Sequence, residues 1–347
     1  MSWITASGPH ADIVLSSRVR LARNVAGVSF SPRASDGDRL RVLQQVREAA
    51  AHSALLAGAV LVRVDELTAN ERRLLHERHL VSRELAELDA AVARSGSAVL
   101  VGDEAALMVN EEDHLRLQVF RSGFDISGAW ERASRLERDL EAHLPLAYHP
   151  EFGFLTSCPT NVGTGLRASV LVHLPGLVLT QEIGKVLTGL QQMGLTYRGL
   201  YGEGSEVVGN FFQISNQTTL GRAEDELCDH LARVVAHVIS RESEARRVLS
   251  RDAGYIIEDK LWRAYGTLRY ARSLGAEEAL NLLSGVRLAV GMFLLGGLSV
   301  YTLNKLLVFS QTAHLSLVEG RPLTEVEANL ARARYVRSAL AAEAGGA

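Results

Sequence analysis

The chain has 347 residues, 47% of them apolar and 22% charged, with a formal net charge of −3. Those values describe a globular protein of roughly two domains with enough apolar surface for full cores, and the slightly acidic balance gives no support to direct nucleic-acid binding. Of 37 basic residues only Lys185, Lys260 and Lys305 are lysines, leaving 34 arginines, an excess that genome composition or a preference for guanidinium pairing accounts for.

In chain order, Ile13-Val14-Leu15 leads into Ser16-Ser17-Arg18-Val19-Arg20-Leu21. In a strand, Arg18 and Arg20 share one face while Val19 and Leu21 take the other. A helix is expected over about 38–55, and Thr68-Ala69-Asn70-Glu71 has the form of a capping box that starts another. Short strands are expected at 98–101 and 105–109 around Gly102-Asp103-Glu104, then a half-buried strand at 114–121 and a helix at 128–144. A strand at 168–174, a helix at 180–193, a strand at 211–214 and a long helix at 223–249 follow. Strands and helices mix without regular βαβ alternation, which favours an α+β class. From about Tyr255 strand signals vanish and helical spacing continues to the C-terminus, so the charged segment 240–254 is the expected boundary between domains 1–250 and 251–347.

The longest uncharged run, 288–304, is broken by Gly296-Gly297 and is short for a membrane span, so it reads as buried helix–turn–helix. The N-terminus carries no basic-apolar signal pattern. Cys158 and Cys228 are far apart and fit no metal spacing or disulfide framework, which points to a reducing, cytoplasmic setting. Gly163-Thr164-Gly165-Leu166-Arg167-Ala168 fits a dinucleotide fingerprint, yet a strand follows it where a helix is required. Gly184-Lys185 lacks the rest of a P-loop.

Three constellations remain. Arg18, Arg20, Arg116, Arg167 and Arg198 sit in or beside expected strands or glycine turns. Singly each reads as a surface or paired arginine; together they form a cage for a polyphosphate, because guanidinium grips phosphate oxygens in bidentate fashion. Asn110-Glu111-Glu112-Asp113-His114-Leu115-Arg116 is an acidic turn entering a strand, and Tyr201-Gly202-Glu203-Gly204-Ser205-Glu206 is a glycine-rich loop with the character of a flap. On its own terms the first is a plain solvated loop. Cys158-Pro159-Thr160-Asn161-Val162-Gly163-Thr164-Gly165-Leu166-Arg167 places a thiol, a rigid turn, a glycine bend and an arginine within ten residues. A lone cysteine is usually a small buried hydrophobe, which is the reading for Cys228.

These segments resemble, in the same order, the motifs of the phosphagen (guanidino) kinases, and most closely their bacterial branch, the protein arginine kinases. The resemblance implies an antiparallel sheet flanked by helices, followed by an all-α domain that dimerises. It implies that Arg18, Arg20, Arg116, Arg167 and Arg198 bind the phosphates of ATP, with Arg23 assisting. Glu112 and Glu203 become the catalytic carboxylates that hold a guanidinium in line with the γ-phosphate. Cys158, aided by Ser157, supports the guanidinium without forming a covalent intermediate. Mg²⁺ is expected to be held by nucleotide and water rather than by protein ligands.

The first arginine motif begins at Ser16, leaving no room ahead of it for the helical domain that encloses free guanidino acids in small-molecule members. About ninety helical residues come after the catalytic part instead. That arrangement favours an arginine within a protein as substrate, with a free-arginine kinase and a catalytically weak binding module as alternatives. The resemblance further implies delivery of marked proteins to a Clp-type protease, release of a stress-response repressor, and a zinc-binding activator. The family's C-terminal Arg-Asp-x-x-Arg-Ala segment, used there to bind phosphoarginine, corresponds to Ala328-Asn329-Leu330-Ala331-Arg332-Ala333. With the first arginine and the aspartate missing, Arg332 is expected on a solvated helix face.

Overall fold

Arg18 and Arg20 lie on the central strand of an eight-stranded sheet. The computed structural model describes residues 1–56, 58–87, 95–200 and 207–344. Strand β1 (Val14–Arg23) is followed by α1 (Asp36–His52), β2 (Val60–Arg63), α2 (Ala69–Glu77) and α3 (Arg83–Ala86). A meander of β3 (Ala98–Val101), β4 (Ala105–Val109) and β5 (Leu115–Ser122) leads to α4 (Ile126–Glu141). Two-residue strands β6 (Tyr148–His149) and β7 (Gly153–Phe154) form a hairpin before β8 (Leu166–His173). Helices α5 (Pro175–Leu179) and α6 (Ile183–Gln192) precede β9 (Leu195–Arg198) and β10 (Phe211–Asn216). The sheet order is β2-β3-β4-β5-β1-β8-β10-β9, with every neighbouring pair antiparallel.

The two faces of the sheet follow the residue alternation. Val19, Leu21, Leu117, Val119, Ala168 and Val170 are buried in the main core with Val42 and Val46 of α1 and Ala133 and Leu136 of α4. The expected capping box at Thr68 is present, with Glu71 accepting from the Thr68 N–H at 2.8 Å. Ser35 and Asp38 make the same reciprocal cap for α1, which therefore starts at Asp36. Each such cap contributes about 1 kcal/mol.

The opposite face is covered only at its two ends. At the β2–β4 end, Leu75, Val81 and Leu85 pack on Val99, Ala106 and Met108. At the other end it is covered by the second half of α7 (Glu224–Tyr270), whose first half packs into the main core through Leu231 and Val235, with α8 (Ala276–Gly291), α9 (Val300–Phe309), α10 (Thr312–Glu319) and α11 (Glu325–Ala344). Their core takes in Leu15, Leu171 and Phe211 from the sheet. A bulge between Val14 and Ser16 turns Leu15 towards these helices. The middle of that face stays open.

Two expected elements differ. The helix expected at 180–193 is α6, which starts only at Ile183 because Gln181 takes a left-handed conformation (φ 60°), and the short helix α5 ahead of it was not expected. The start of α5 is held by buried Glu242, which accepts the N–H groups of Gly176 and Leu177 at 3.0 Å each. The long helix runs past 249, with Glu242, Ala245, Arg246 and Leu249 continuing its buried stripe, to a kink at Ala253 (φ −140°, ψ 24°) inside the segment 240–254, and a second helical run goes on from there to Tyr270. The short edge strands β2 and β9 were not expected from residue pattern. Phe293, within the run 288–304, is 95% exposed, so that run is only partly buried. Among the described residues no helix is long and apolar enough to cross a membrane.

The helical part also grips α2 directly. The Glu77 carboxylate accepts the N–H groups of Ala313 and His314 at the start of α10, and the His314 Nδ1–H at 2.8 Å. Arg78 Nε–H donates to the other ring nitrogen of His314 at 3.1 Å.

Candidate active site

The open middle of the sheet is the floor of a cleft of about 700 Å³, within the range of small-molecule sites. Antiparallel register decides what that floor presents. Arg20 lies opposite Arg167 on one side and Gln118 on the other, and Ala22 lies opposite Arg116. Arg18 lies opposite Ser169 and Phe120, and Arg198 opposite Gln213. All five sequence-predicted arginines therefore line one cleft.

Few described groups neutralise this cluster. Arg18 Nε approaches Ser169 Oγ at 3.4 Å, and its guanidinium lies 5.6 Å from the Phe120 ring centre. Arg167 Nη2 donates to Ser215 Oγ at 3.2 Å. Arg20 Nε is buried without a hydrogen-bond partner. Burial, with Arg167 and Arg116 nearby, pushes the Arg18 guanidinium down to about 9. Burial and the neighbouring arginines push Arg20 down as well, against the pull of Glu111. The site is a preformed positive well in need of an anion.

Glu112 stands at its edge. Arg116 bridges the acidic turn, Nη1 donating to Glu111 Oε1 at 2.9 Å and Nη2 to Glu112 Oε2 at 3.0 Å. Glu112 is about half-buried, and its carboxyl is held above the usual range: burial raises it, Glu111 and Asp113 add to this, and Arg116 and the hydrogen-bonded Cys158 side chain oppose it. Asn161 Nδ2 also reaches Glu112 at 3.5 Å. Cys158 is partly exposed in the cleft wall, its Sγ 3.0 Å from Thr160 Oγ1. Cys228 is buried in the main core, where burial and nearby acidic residues push its thiol up to about 12. Glu203 lies outside the described residues.

Two expectations are corrected. Arg23 points away from the cleft and is 3% exposed: Nε pairs with Glu137 at 2.5 Å, Nη1 donates to the Ala22 and Thr164 carbonyls, and the guanidinium stacks 3.5 Å over the Phe154 ring. It fastens strand, helix and glycine bend, and is not placed to assist with phosphate. Arg332 is not on a solvated face but 1% exposed, donating to the Ser310 and Leu274 carbonyls, Asn329 Oδ1 and Thr312 Oγ1. Partners from distant segments decide the placement of both side chains.

Residue pattern did not single out Ser169 and Ser215, which hold Arg18 and Arg167, or Asn161 beside Glu112. Ser169 lies opposite Arg18, and Ser215 lies opposite Ser169 and so diagonal to Arg167, a signal visible only once register is known. Among the described residues no group of three His, Cys, Asp or Glu side chains is placed to hold a metal. The floor offers cations, so a divalent ion fits there only together with a polyphosphate.

An arginine-floored cleft with a carboxylate at its rim is the equipment of a phosphotransferase. The family profile described as ATP:guanido phosphotransferase, C-terminal catalytic domain, matches residues 41–245, and that of the protein-arginine kinase McsB C-terminal domain matches 255–346. The chain is 45% identical over 344 residues to a protein-arginine kinase of Symbiobacterium thermophilum, covering 98% of this chain and 96% of that one. It is 39% identical to the Bacillus subtilis protein-arginine kinase, covering 99% and 94%. Among solved structures, lombricine kinase superposes with a TM-score of 0.59 at 23% identity, covering 69% of this chain and 70% of that chain. The duplicated taurocyamine kinase of Schistosoma mansoni gives 0.60 at 24% identity, covering 69% and 34%. The chain belongs to the ATP:guanido phosphotransferase family.

Proposed function

We propose that this enzyme transfers the γ-phosphate of ATP to arginine side chains of proteins, forming N-phosphoarginine. The observation that carries the reading is the junction at Arg116, where the arginine floor meets Glu112 at 3.0 Å. Arg18, Arg20, Arg167 and Arg198 take the phosphate oxygens. As nucleotide enters, Arg116 exchanges a carboxylate for phosphate and releases Glu112. The substrate guanidinium is always protonated and a poor nucleophile. Glu112, whose proton affinity is raised by burial, orients it and accepts a proton as the P–N bond forms and the bond to ADP breaks. Glu203 is the second carboxylate, and Cys158 flanks the guanidinium beside Glu112. Bound Mg²⁺, carried by phosphate and water, neutralises phosphate charge.

Relatives named protein-arginine kinase support a protein acceptor, since they match almost the whole chain. The two family profiles meet between 245 and 255, which supports a catalytic domain at 1–250 and a helical dimerisation or docking domain at 251–347. Cytoplasmic location, a homodimer, a zinc-binding activator, a Clp-type protease that receives marked proteins and a stress-response repressor released by the mark belong to the same proposal, supported by family resemblance. The test is ³¹P NMR with acid-lability analysis after incubation with Mg-ATP and either an unfolded arginine-containing protein or free arginine. Acid-labile phosphoramidate on the protein, lost in Glu112→Gln and Glu203→Gln, is the expected result. Phosphate only on free arginine would make this a metabolite kinase, and nucleotide binding without transfer to either would make it a binding module.

A further inference from the structure

Asn24 follows the last residue of β1 and is 1% exposed, outside the cleft lining. Its amide oxygen accepts the His114 N–H at 2.8 Å. Its amide nitrogen donates to Asp113 Oδ1 at 2.7 Å and to the Leu155 carbonyl at 3.1 Å. The same Asp113 oxygen accepts the Ser157 N–H at 2.6 Å, one residue before Cys158. The His114 ring closes the node, accepting the Val25 N–H and donating to the Ser29 carbonyl, each at 3.0 Å. Asp113 and His114 are fully buried.

One planar amide thus joins three segments: the end of the arginine strand, the turn that carries Glu112, and the loop that carries Cys158. Only an amide side chain of this length offers one acceptor and two donors in a single plane. Aspartate has no donor, and a hydroxyl has one. Resting on the phosphotransferase reading above, we propose that Asn24 is a positioning residue for the guanidinium, holding Glu112 and Cys158 in register with each other and with the arginine floor. It touches neither nucleotide nor guanidinium. None of its hydrogen bonds reaches Arg18, Arg20 or Arg167, so it acts on the acceptor side of the reaction.

The experiment compares Asn24→Ala, Asn24→Ser and Asn24→Asp in the full chain. Three readouts are taken: Mg-ADP affinity by calorimetry, kcat and KM for transfer to an arginine-containing protein, and the iodoacetamide alkylation rate of Cys158, with buried Cys228 as internal control. In Asn24→Asp two carboxylates face each other and the Leu155 carbonyl loses its donor. The expected result is a fall in kcat of about tenfold to a hundredfold in all three variants. Mg-ADP affinity stays the same and Cys158 alkylation is altered. Unchanged kcat and alkylation, or nucleotide affinity falling in step with kcat, would each overturn the proposal. Should Asn24→Ala not fold, Asn24→Ser decides. If wild-type protein transfers phosphate to no acceptor, the proposed function fails, and the alkylation arm still decides whether Asn24 sets the Cys158 loop.

Discussion

Replacing Arg20 by methionine should make the protein more stable and a weaker binder of nucleotide. Arg20 Nε is buried without a partner, and Arg18, Arg116 and Arg167 all press on its charge. Two unit charges roughly 6 Å apart repel by about 3 kcal/mol at an effective dielectric constant of about 20. Glu111 offsets part of this, and methionine keeps most of the apolar stem packing. The net expectation is a gain of roughly 1–3 kcal/mol for the protein without nucleotide, seen as a rise of a few degrees in Tm. Each charge-assisted hydrogen bond to phosphate contributes roughly 1.5–3 kcal/mol, so the same substitution should weaken Mg-ADP binding by about tenfold to a hundredfold. Differential scanning fluorimetry reads both effects. Wild-type protein gains about 2.7 kcal/mol at a hundredfold excess of ligand over Kd, and Arg20→Met should lose about half of that shift or more at the same Mg-ADP concentration. A lower Tm for Arg20→Met without nucleotide, or an undiminished response to Mg-ADP, would refute the view of the floor as an unneutralised phosphate cradle.

Other substitutions test the surroundings. His79 is pushed down to about 3 by burial, then by Arg18 and His76, from 6.5. The unfolded chain therefore binds the extra proton between those values, and stability present above pH 6.5 is lost as pH falls towards 3, by at most about 1.4 kcal/mol per pH unit. His79→Asn, which tolerates the positive φ of 58° at this position, should flatten that dependence in urea titrations at pH 7, 5.5 and 4.5. Arg332→Ala should cost about 3–5 kcal/mol by urea denaturation, because it leaves the Ser310 and Leu274 carbonyls without their donor. A loss below about 0.5 kcal/mol would restore the solvated-face reading. With its thiol pushed up to about 12 in the core, Cys228 should stay unreactive to a disulfide reagent at pH 8 in folded protein, while partly exposed Cys158 reacts. Equal rates at the two cysteines would contradict this packing.

Local sequence determines those features whose cause lies within a few residues. The two-residue spacing of Arg18 and Arg20 places them on one face, Thr68 and Glu71 cap α2, and β3 and β4 turn around Gly102-Asp103-Glu104 as alternation requires. The motifs around Glu112, Cys158 and Arg167 were legible only through their resemblance to those of a known family, since each run by itself also reads as a plain loop or a paired arginine. Partners brought from elsewhere were not. Arg23 and Arg332 look like ordinary arginines until Glu137 and Phe154, or Ser310 and Leu274, surround them. Helix α7 kinks at Ala253 beside Gly254 and resumes beyond it because neighbouring helices cover its stripe at Ile257 and Leu261. The opposition of Arg20 and Arg167 and the node at Asn24 are matters of pairing between segments 90 to 150 residues apart. Side-chain alternation and capping are properties of one backbone segment, so the sequence alone decides them. Which charges meet, and which stay unneutralised in the cleft, depends on the pairing of distant segments, and only the folded sheet decides that.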